Sequence, residues 1–122
     1  MTGILVDTHI LLWIRLASSK LKSEERRALD AALRRFVSAV SLWEIGILIG
    51  LGRVSNDPRL FTVPDNFELL PVLPTHCEVL ASLPLIHKDP FDRMLVSQAR
   101  VEKLTLITRD AMIASYERPR MR

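Results

Sequence analysis

Cysteine is almost absent from this chain of 122 residues, which contains only Cys77. A single thiol excludes an internal disulfide bond and any zinc site that needs several thiolates. His76 precedes it, but no further ligands follow at a suitable spacing, so the sequence predicts a buried thiol rather than a metal pair. The low cysteine content fits a reducing compartment, and we expect a cytoplasmic protein.

Long apolar runs are missing as well. Asp7 interrupts the first apolar run, so no secretory signal sequence is expected at the N terminus. The longest later run covers residues 42–52, about half of what a bilayer span requires, and it contains Glu44. The sequence therefore predicts no membrane anchor.

The composition is that of a folded domain. Apolar residues make up 48% of the chain and charged residues 25%, which excludes wholesale disorder. The length suits one domain, which we expect to span residues 1–122. The formal net charge is +3, from 17 basic and 14 acidic residues, and this weakly favours a polyanionic partner.

Short apolar runs alternate with longer segments of helical period. The predicted strands are residues 3–6, 36–40, 67–72 and 104–107. The predicted helices are residues 9–17, a segment that begins at Ser23, and residues 41–51, 74–83, 91–102 and 111–116. Pro71 would break a central ladder, so the third strand should lie at a sheet edge or end at Leu70. This alternation predicts an α/β fold with an open parallel sheet covered by helices on both faces.

Four acidic residues follow predicted strands or begin predicted helices. They are Asp7, Glu44, Asp110 and one of the two acids that begin the fifth helix, Asp89 and Asp92. The resemblance given below assigns the fourth place to Asp92, and Asp7, Glu44, Asp92 and Asp110 are called the acidic quartet. In an open parallel sheet such positions meet at the carboxyl edge. Each acid also has a purely local interpretation as a helix cap, since Ser41 and Glu44 form a capping-box pattern and Asp89 precedes Pro90 as an N-cap would.

Acids that share a cleft repel one another unless a cation compensates their charge. Carboxylate oxygens suit Mg²⁺ or Mn²⁺, and such ions support phosphoryl transfer. Together with the basic chain, the quartet therefore predicts a metal-dependent phosphodiesterase that acts on nucleic acid.

Four motifs carry a resemblance to a known family. They are Leu-Val-Asp-Thr-His at residues 5–9, Val-Ser-Ala-Val-Ser-Leu-Trp-Glu-Ile at 37–45, His-Lys-Asp-Pro-Phe-Asp-Arg-Met-Leu at 87–95, and Leu-Ile-Thr-Arg-Asp at 106–110. In this order they resemble PIN-domain ribonuclease toxins of the VapC type, over residues 4 to about 116. The resemblance implies a three-layer α/β/α fold with a short central parallel sheet.

The resemblance also implies a function. The acidic quartet would hold one or two Mg²⁺ or Mn²⁺ ions, and a metal-activated water would cleave RNA to a 5′-phosphate and a 3′-hydroxyl. Thr8, Ser41 and Thr108 match small hydroxyl positions beside the quartet, and we expect them to orient its carboxylates. The implied partners are the RNA substrate, a cognate antitoxin that blocks the cleft, and a second copy of the chain. The alternative is a catalytically silent PIN-like module that binds RNA or an antitoxin, but all four acids are present, which favours the enzyme.

Three more residues of these motifs are candidates for substrate contact or loop support. Asp89 is predicted to be an N-cap rather than a metal ligand. Arg93 would either contact a phosphate or pair with a neighbouring acid. Arg109 follows the last strand beside Asp110. His87 is interpreted as a loop histidine without a catalytic part.

Some apolar and basic residues have two interpretations. Trp13 and Trp43 lie among apolar neighbours at helical spacing, which favours core packing over base stacking. The helix from residue 41 to residue 51 is apolar nearly all round, so it should be buried or form an interface. The basic tail at about 117–122 either contacts the RNA backbone or is a solvated end.

Overall fold

Four short parallel strands form the centre of the fold in residues 3–114 and 116, which the computed structural model describes. The strands are β1 (Ile4–Val6), β2 (Arg35–Ser38), β3 (Glu68–Leu70) and β4 (Thr105–Ile107), in the order β3-β2-β1-β4. The helices are α1 (Thr8–Arg15), α2 (Ser23–Ala31), α3 (Ala39–Gly50), α4 (Pro74–Ser82), α5 (Pro90–Glu102) and α6 (Ala111–Ala114). A 3₁₀ turn, Pro58–Phe61, lies in the long loop after α3.

Apolar side chains cover both faces of this sheet, because successive residues of a strand point to opposite sides. Ile4 and Val6 pack into one buried cluster with α1, α2 and α3, whereas Leu5 packs into a second cluster with α5 and α6. Two cores, one on each face of the sheet, confirm the predicted three-layer α/β/α fold. Within residues 3–114 and 116 no helix is both long enough and apolar enough to cross a membrane.

The third strand lies at the edge of the sheet, as Pro71 predicted. Among the described residues β3 pairs with β2 alone, and it ends at Leu70, directly before Pro71. The second helix, α2, ends at Ala31, and Arg35 begins β2 opposite Ile4. The Arg35 side chain donates to the carbonyls of Leu29 and Asp30 at 2.6 and 3.1 Å, so it satisfies the helix end from outside.

The start of α3 differs from the predicted capping box. Ser38, not Ser41, is the N-cap, and its hydroxyl accepts from the Val40 amide at 3.0 Å. The helix therefore begins two residues before Ser41, which lies fully buried in its first turn. Glu44 is consequently free of any capping role and can face another element.

Two predictions about buried side chains are wrong, and one about the C-terminal tail is untested. Cys77 is exposed, and it is His76 that turns inward, with its Nε2 2.7 Å from Glu102 Oε2. Trp43 is 65% exposed rather than part of the core. Neighbouring helix residues differ by about 100° in direction, so a single position separates inward from outward side chains, and the apolar pattern of both segments is too weak to choose between them. The predicted basic tail, 117–122, lies outside the described residues.

Candidate functional site

A cleft of about 210 Å³ brings the acidic quartet together. It is lined by Asp7, His9, Ile10, Trp13, Glu44, Asp89, Asp92, Arg109, Asp110 and Ile113. The four acids come from the end of β1, the second turn of α3, the first turn of α5 and the loop after β4. The cleft thus lies at the carboxyl edge of the parallel sheet, as expected for this class of fold.

Asp7 has two structural partners besides its place in the cleft. It is the N-cap of α1, and its Oδ1 accepts from the Ile10 amide at 2.8 Å. Its Oδ2 accepts from the Thr108 hydroxyl at 2.6 Å, which ties the end of β1 to the end of β4. Burial raises the pKa of Asp7 above its usual value, although both hydrogen bonds oppose the rise.

Glu44 is positioned by a pair of hydroxyls. Its Oε1 accepts from Thr8 Oγ1 at 2.6 Å, and the Ser41 hydroxyl lies 3.1 Å from the same Thr8 oxygen. Thr8 and Ser41 are both buried, so this chain of contacts joins the start of α1 to α3. Burial is the main reason why the pKa of Glu44 is raised, and the negative charge of Asp89 adds to it.

Asp92 is the most strongly perturbed acid of the cleft. Burial first, and then repulsion from Asp89 and Glu44, raises its pKa from 3.8 to about 7. Asp89 is the N-cap of α5, as predicted, and its Oδ1 accepts from the Phe91 and Asp92 amides at 2.9 and 3.3 Å. The capping acid therefore also lines the cleft and contributes to its negative charge.

Asp110 completes the quartet from the loop that follows β4. Its amide donates to Thr108 Oγ1 at 3.0 Å, so one threonine contacts both Asp7 and Asp110. Its Oδ2 lies 3.1 Å from Nε2 of His87, and the same imidazole nitrogen lies 3.1 Å from Oδ2 of Asp92. Sequence reasoning left His87 in a loop without a role, because only the folded chain brings residues 87 and 110 together.

Arg93 contacts the loop before α5, and within the described residues it is not paired with Asp89 or Asp92. Its guanidinium donates to the carbonyls of Pro84 and Leu83 at 3.0 and 3.3 Å, and it lies 3.2 Å from the Tyr116 hydroxyl. Arg93 therefore supports the loop between α4 and α5 instead of reaching the acids.

Arg109 is held on the rim of the cleft. It donates to both carboxylate oxygens of Glu25 at 2.7 and 2.8 Å, and it also contacts the Lys20 carbonyl. Its guanidinium lies 4.1 Å from the centre of the Trp13 ring. The partly buried Trp13 thus lies at the cleft wall. The positive charge of Arg109 is already paired with the carboxylate of Glu25.

The donor set of the cleft fits a hard divalent cation. The quartet and Asp89 offer carboxylate oxygens, the donors that Mg²⁺ and Mn²⁺ prefer. Burial is the largest cause of the raised pKa values of Asp7, Glu44 and Asp92, and the neighbouring groups that lower these values do not cancel it. Among the described lining residues the basic side chains are His9 and Arg109, and Arg109 is paired with Glu25.

Comparisons with known proteins agree with this architecture. The PIN domain family model matches residues 4–119. Ribonuclease VapC22 of Mycobacterium tuberculosis (strain ATCC 25618 / H37Rv) is 23% identical over 125 residues, which cover 98% of this chain and 96% of that protein.

Two solved structures share the fold. The first is VapBC2 from Rickettsia felis bound to a DNA fragment from their promoter, with a TM-score of 0.71 and 14% identity over 94% of this chain and 93% of that chain. The second is a toxin–antitoxin complex from Klebsiella pneumoniae, with a TM-score of 0.61 and 20% identity over 88% of this chain and 87% of that chain.

Proposed function

This chain belongs to the PIN domain family, and we propose that it is a Mg²⁺- or Mn²⁺-dependent endoribonuclease, the toxin of a toxin–antitoxin pair. One observation carries the proposal: four acids from four separate elements line a single cleft, and burial raises the pKa of three of them. Such an arrangement is unfavourable in itself, which favours a site built for a cation. RNA is found in the cytoplasm, and we place the activity there.

The residues of the cleft have two proposed roles, binding of metal ions and orientation of the carboxylates that bind them. Asp7, Glu44, Asp92 and Asp110 would hold one or two divalent ions. When bound, such an ion offsets the charge of a phosphodiester and promotes ionisation of a water. Thr8 and Thr108 donate to Glu44 and Asp7, and so fix the direction of two carboxylates before any substrate arrives.

The nature of the relative supports RNA as the substrate. The curated relative is a ribonuclease, and the net charge of +3 favours a polyanion despite the acidic cleft. The silent RNA- or antitoxin-binding module remains the second candidate, and the acids are the feature that separates the two.

The first experiment is cleavage of a mixed RNA pool by purified protein that has been freed of any antitoxin. We expect cleavage with Mg²⁺ or Mn²⁺, none with EDTA, recovery when excess metal is added back, and 5′-phosphate ends. Cleavage that persists in EDTA would contradict the metal requirement. Folded protein that neither cleaves the pool nor binds metal would instead support the silent module.

We propose that a cognate antitoxin covers the cleft. Two structural neighbours are toxin–antitoxin assemblies, which supports a partner of this kind. A cationic segment of such a partner would offset the same acidic charge that a metal ion offsets. Its addition should therefore inhibit cleavage and lower the affinity for Mn²⁺.

A homodimer is proposed through the outer face of α3. Trp43, Ile47 and Leu51 follow one another at intervals of four residues and are 65%, 39% and 62% exposed. Beside them, Trp43 and Phe91 border an almost wholly apolar groove of about 230 Å³. A continuous apolar surface of this kind is typical of an interface.

A charge on this face should separate the protomers. We expect the chain of 13.9 kDa to have about twice that mass in analytical ultracentrifugation, and the Trp43→Glu variant to have the mass of a single chain. Leu33→Glu is the matched control, because Leu33 is 73% exposed but lies outside this face. If Trp43→Glu kept the dimeric mass of the wild type at all concentrations, the α3 face would be excluded as the interface.

A further inference from the structure

His87 joins two members of the quartet that come from different elements. Its Nε2 lies 3.1 Å from Oδ2 of Asp92 in α5 and 3.1 Å from Oδ2 of Asp110 in the loop after β4. Possible ligand atoms of these three residues all lie within 4.8 Å of one another. Two roles are therefore open for the imidazole: direct coordination of a metal ion, or donation of a hydrogen bond to the carboxylates.

The other ring nitrogen decides between these roles. Nδ1 of His87 accepts from the Asp89 amide at 3.2 Å, so Nδ1 carries a lone pair and no proton. In the neutral ring the proton then lies on Nε2, the nitrogen that faces Asp92 and Asp110. A nitrogen that carries a proton has no lone pair for a metal ion. The backbone amide of Asp89 thus favours the tautomer of His87 in which Nε2 carries the proton and can donate it to a carboxylate.

The loop that carries His87 is firmly held. The Ile86 and His87 amides both donate to the Tyr116 hydroxyl, at 3.1 and 2.8 Å. Arg93 contacts the same hydroxyl and the Pro84 carbonyl. The His87 side chain is only 15% exposed. The imidazole is therefore a preorganised donor in the cleft wall.

We propose that His87 is a positioning residue of the metal site: its Nε2–H group donates to Asp110, lies 3.1 Å from Asp92, and so holds Asp110 beside Asp92 from outside the coordination sphere. This inference rests on the proposed function. Its physical basis is that carboxylates which bind a metal are better ligands when hydrogen bonds fix their direction. Because the same N–H group lies 3.1 Å from Asp92, its positive end also reduces the repulsion between Asp92 and Asp110 before a cation arrives.

Mn²⁺ affinity tests the donor role independently of cleavage. In titrations followed by the electron paramagnetic resonance of free Mn²⁺, His87→Ala should bind about 10- to 100-fold more weakly than the wild type. His87→Gln places an amide N–H near the position of Nε2 and should recover most of the affinity. Lys88→Ala is the control for disturbance of the loop, since Lys88 is an exposed neighbour, and it should bind like the wild type.

The spectrum of bound Mn²⁺ distinguishes a donor from a ligand. Wild-type protein should lack the nitrogen hyperfine coupling of a directly bound imidazole. A strong coupling that disappears in His87→Gln would overturn the proposal, and so would unchanged affinity in His87→Ala or failure of the folded Gln variant to recover it. If His87→Ala does not fold, the wild-type spectrum and the Gln variant still decide.

The two proposals can fail separately. Wild-type protein that binds Mn²⁺ but cleaves no RNA would contradict the endoribonuclease while the measurements on His87 stand. Wild-type protein that binds no Mn²⁺ would overturn the role of His87 directly, together with the metal requirement.

Discussion

The Asp7→Asn and Asp92→Asn variants should each lose RNA cleavage by about 10³-fold or more, with the fold intact. Either change removes a charged oxygen that we propose as a metal ligand, and a loss of about 4 kcal/mol of transition-state stabilisation corresponds to this factor. Asparagine is also a good N-cap, so the Ile10 amide keeps an acceptor when residue 7 changes. The measurement is the single-turnover cleavage rate at saturating Mn²⁺.

The control for this prediction is Asp30→Asn. Asp30 is an exposed acid of α2 outside the cleft, and its variant should cleave at the wild-type rate. Circular dichroism should show the same helical content in all of these proteins. Cleavage by Asp92→Asn at a rate near that of the wild type would contradict the assignment of the site.

Metal-free protein should become less stable as the pH rises from about 4 to about 8. The pKa of Asp92 is about 7 in the folded chain and near 3.8 when the chain is unfolded. Folding therefore favours the protonated acid, and this advantage is complete below pH 3.8 and lost as the pH passes through 7. The raised pKa values of Asp7 and Glu44 act in the same direction. The loss from Asp92 alone is roughly 2 to 4 kcal/mol.

Asp92→Asn should accordingly melt several degrees higher than the wild type at pH 8 in EDTA, and the difference should vanish at pH 4. Mn²⁺ should stabilise the wild type more than the variant, because the ion offsets the repulsion and binds only the folded site. Binding should also release protons near pH 7, since the acids must ionise first. Thermal melts and calorimetry in two buffers measure both effects.

The control for the pH dependence of stability is again Asp30→Asn. Asp30→Asn should follow the pH dependence of the wild type throughout. If metal-free wild type were equally stable at pH 5 and pH 8, burial of the uncompensated acids would not cost the energy that the raised pKa values require.

The acids of the cleft lower the stability of the metal-free protein, and the proposed metal site requires the same acids. Asp7 and Asp89 serve as helix caps, so their cost is partly offset by hydrogen bonds to backbone amides. Asp92 lies within the same cleft with no such compensation from its own helix, and its pKa rises the most. The acid that costs the most stability is therefore the one whose replacement should be most visible in both measurements.

Local signals in the sequence determined the order of the elements, the edge position of the third strand and the helix cap at Asp89. They also indicated Asp7, Glu44, Asp110 and the pair Asp89 and Asp92, because each follows a strand or begins a helix, and the family resemblance singled out Asp92 from that pair. These features depend on interactions between residues a few positions apart. Backbone preferences and side-chain periodicity act over the same range, and for this reason the sequence is informative about them.

Only the tertiary structure decided which groups meet across the cleft. Thr108 lies 101 residues from Asp7 and Glu25 lies 84 residues from Arg109, so no local pattern links them. The same holds for His87, whose role depends on a carboxylate 23 residues away. Exposure of Trp43 and burial of His76 likewise depend on which helix face meets the sheet. Such contacts arise when separate elements pack together, and the packing angle and register that create them are set by the whole core rather than by any segment.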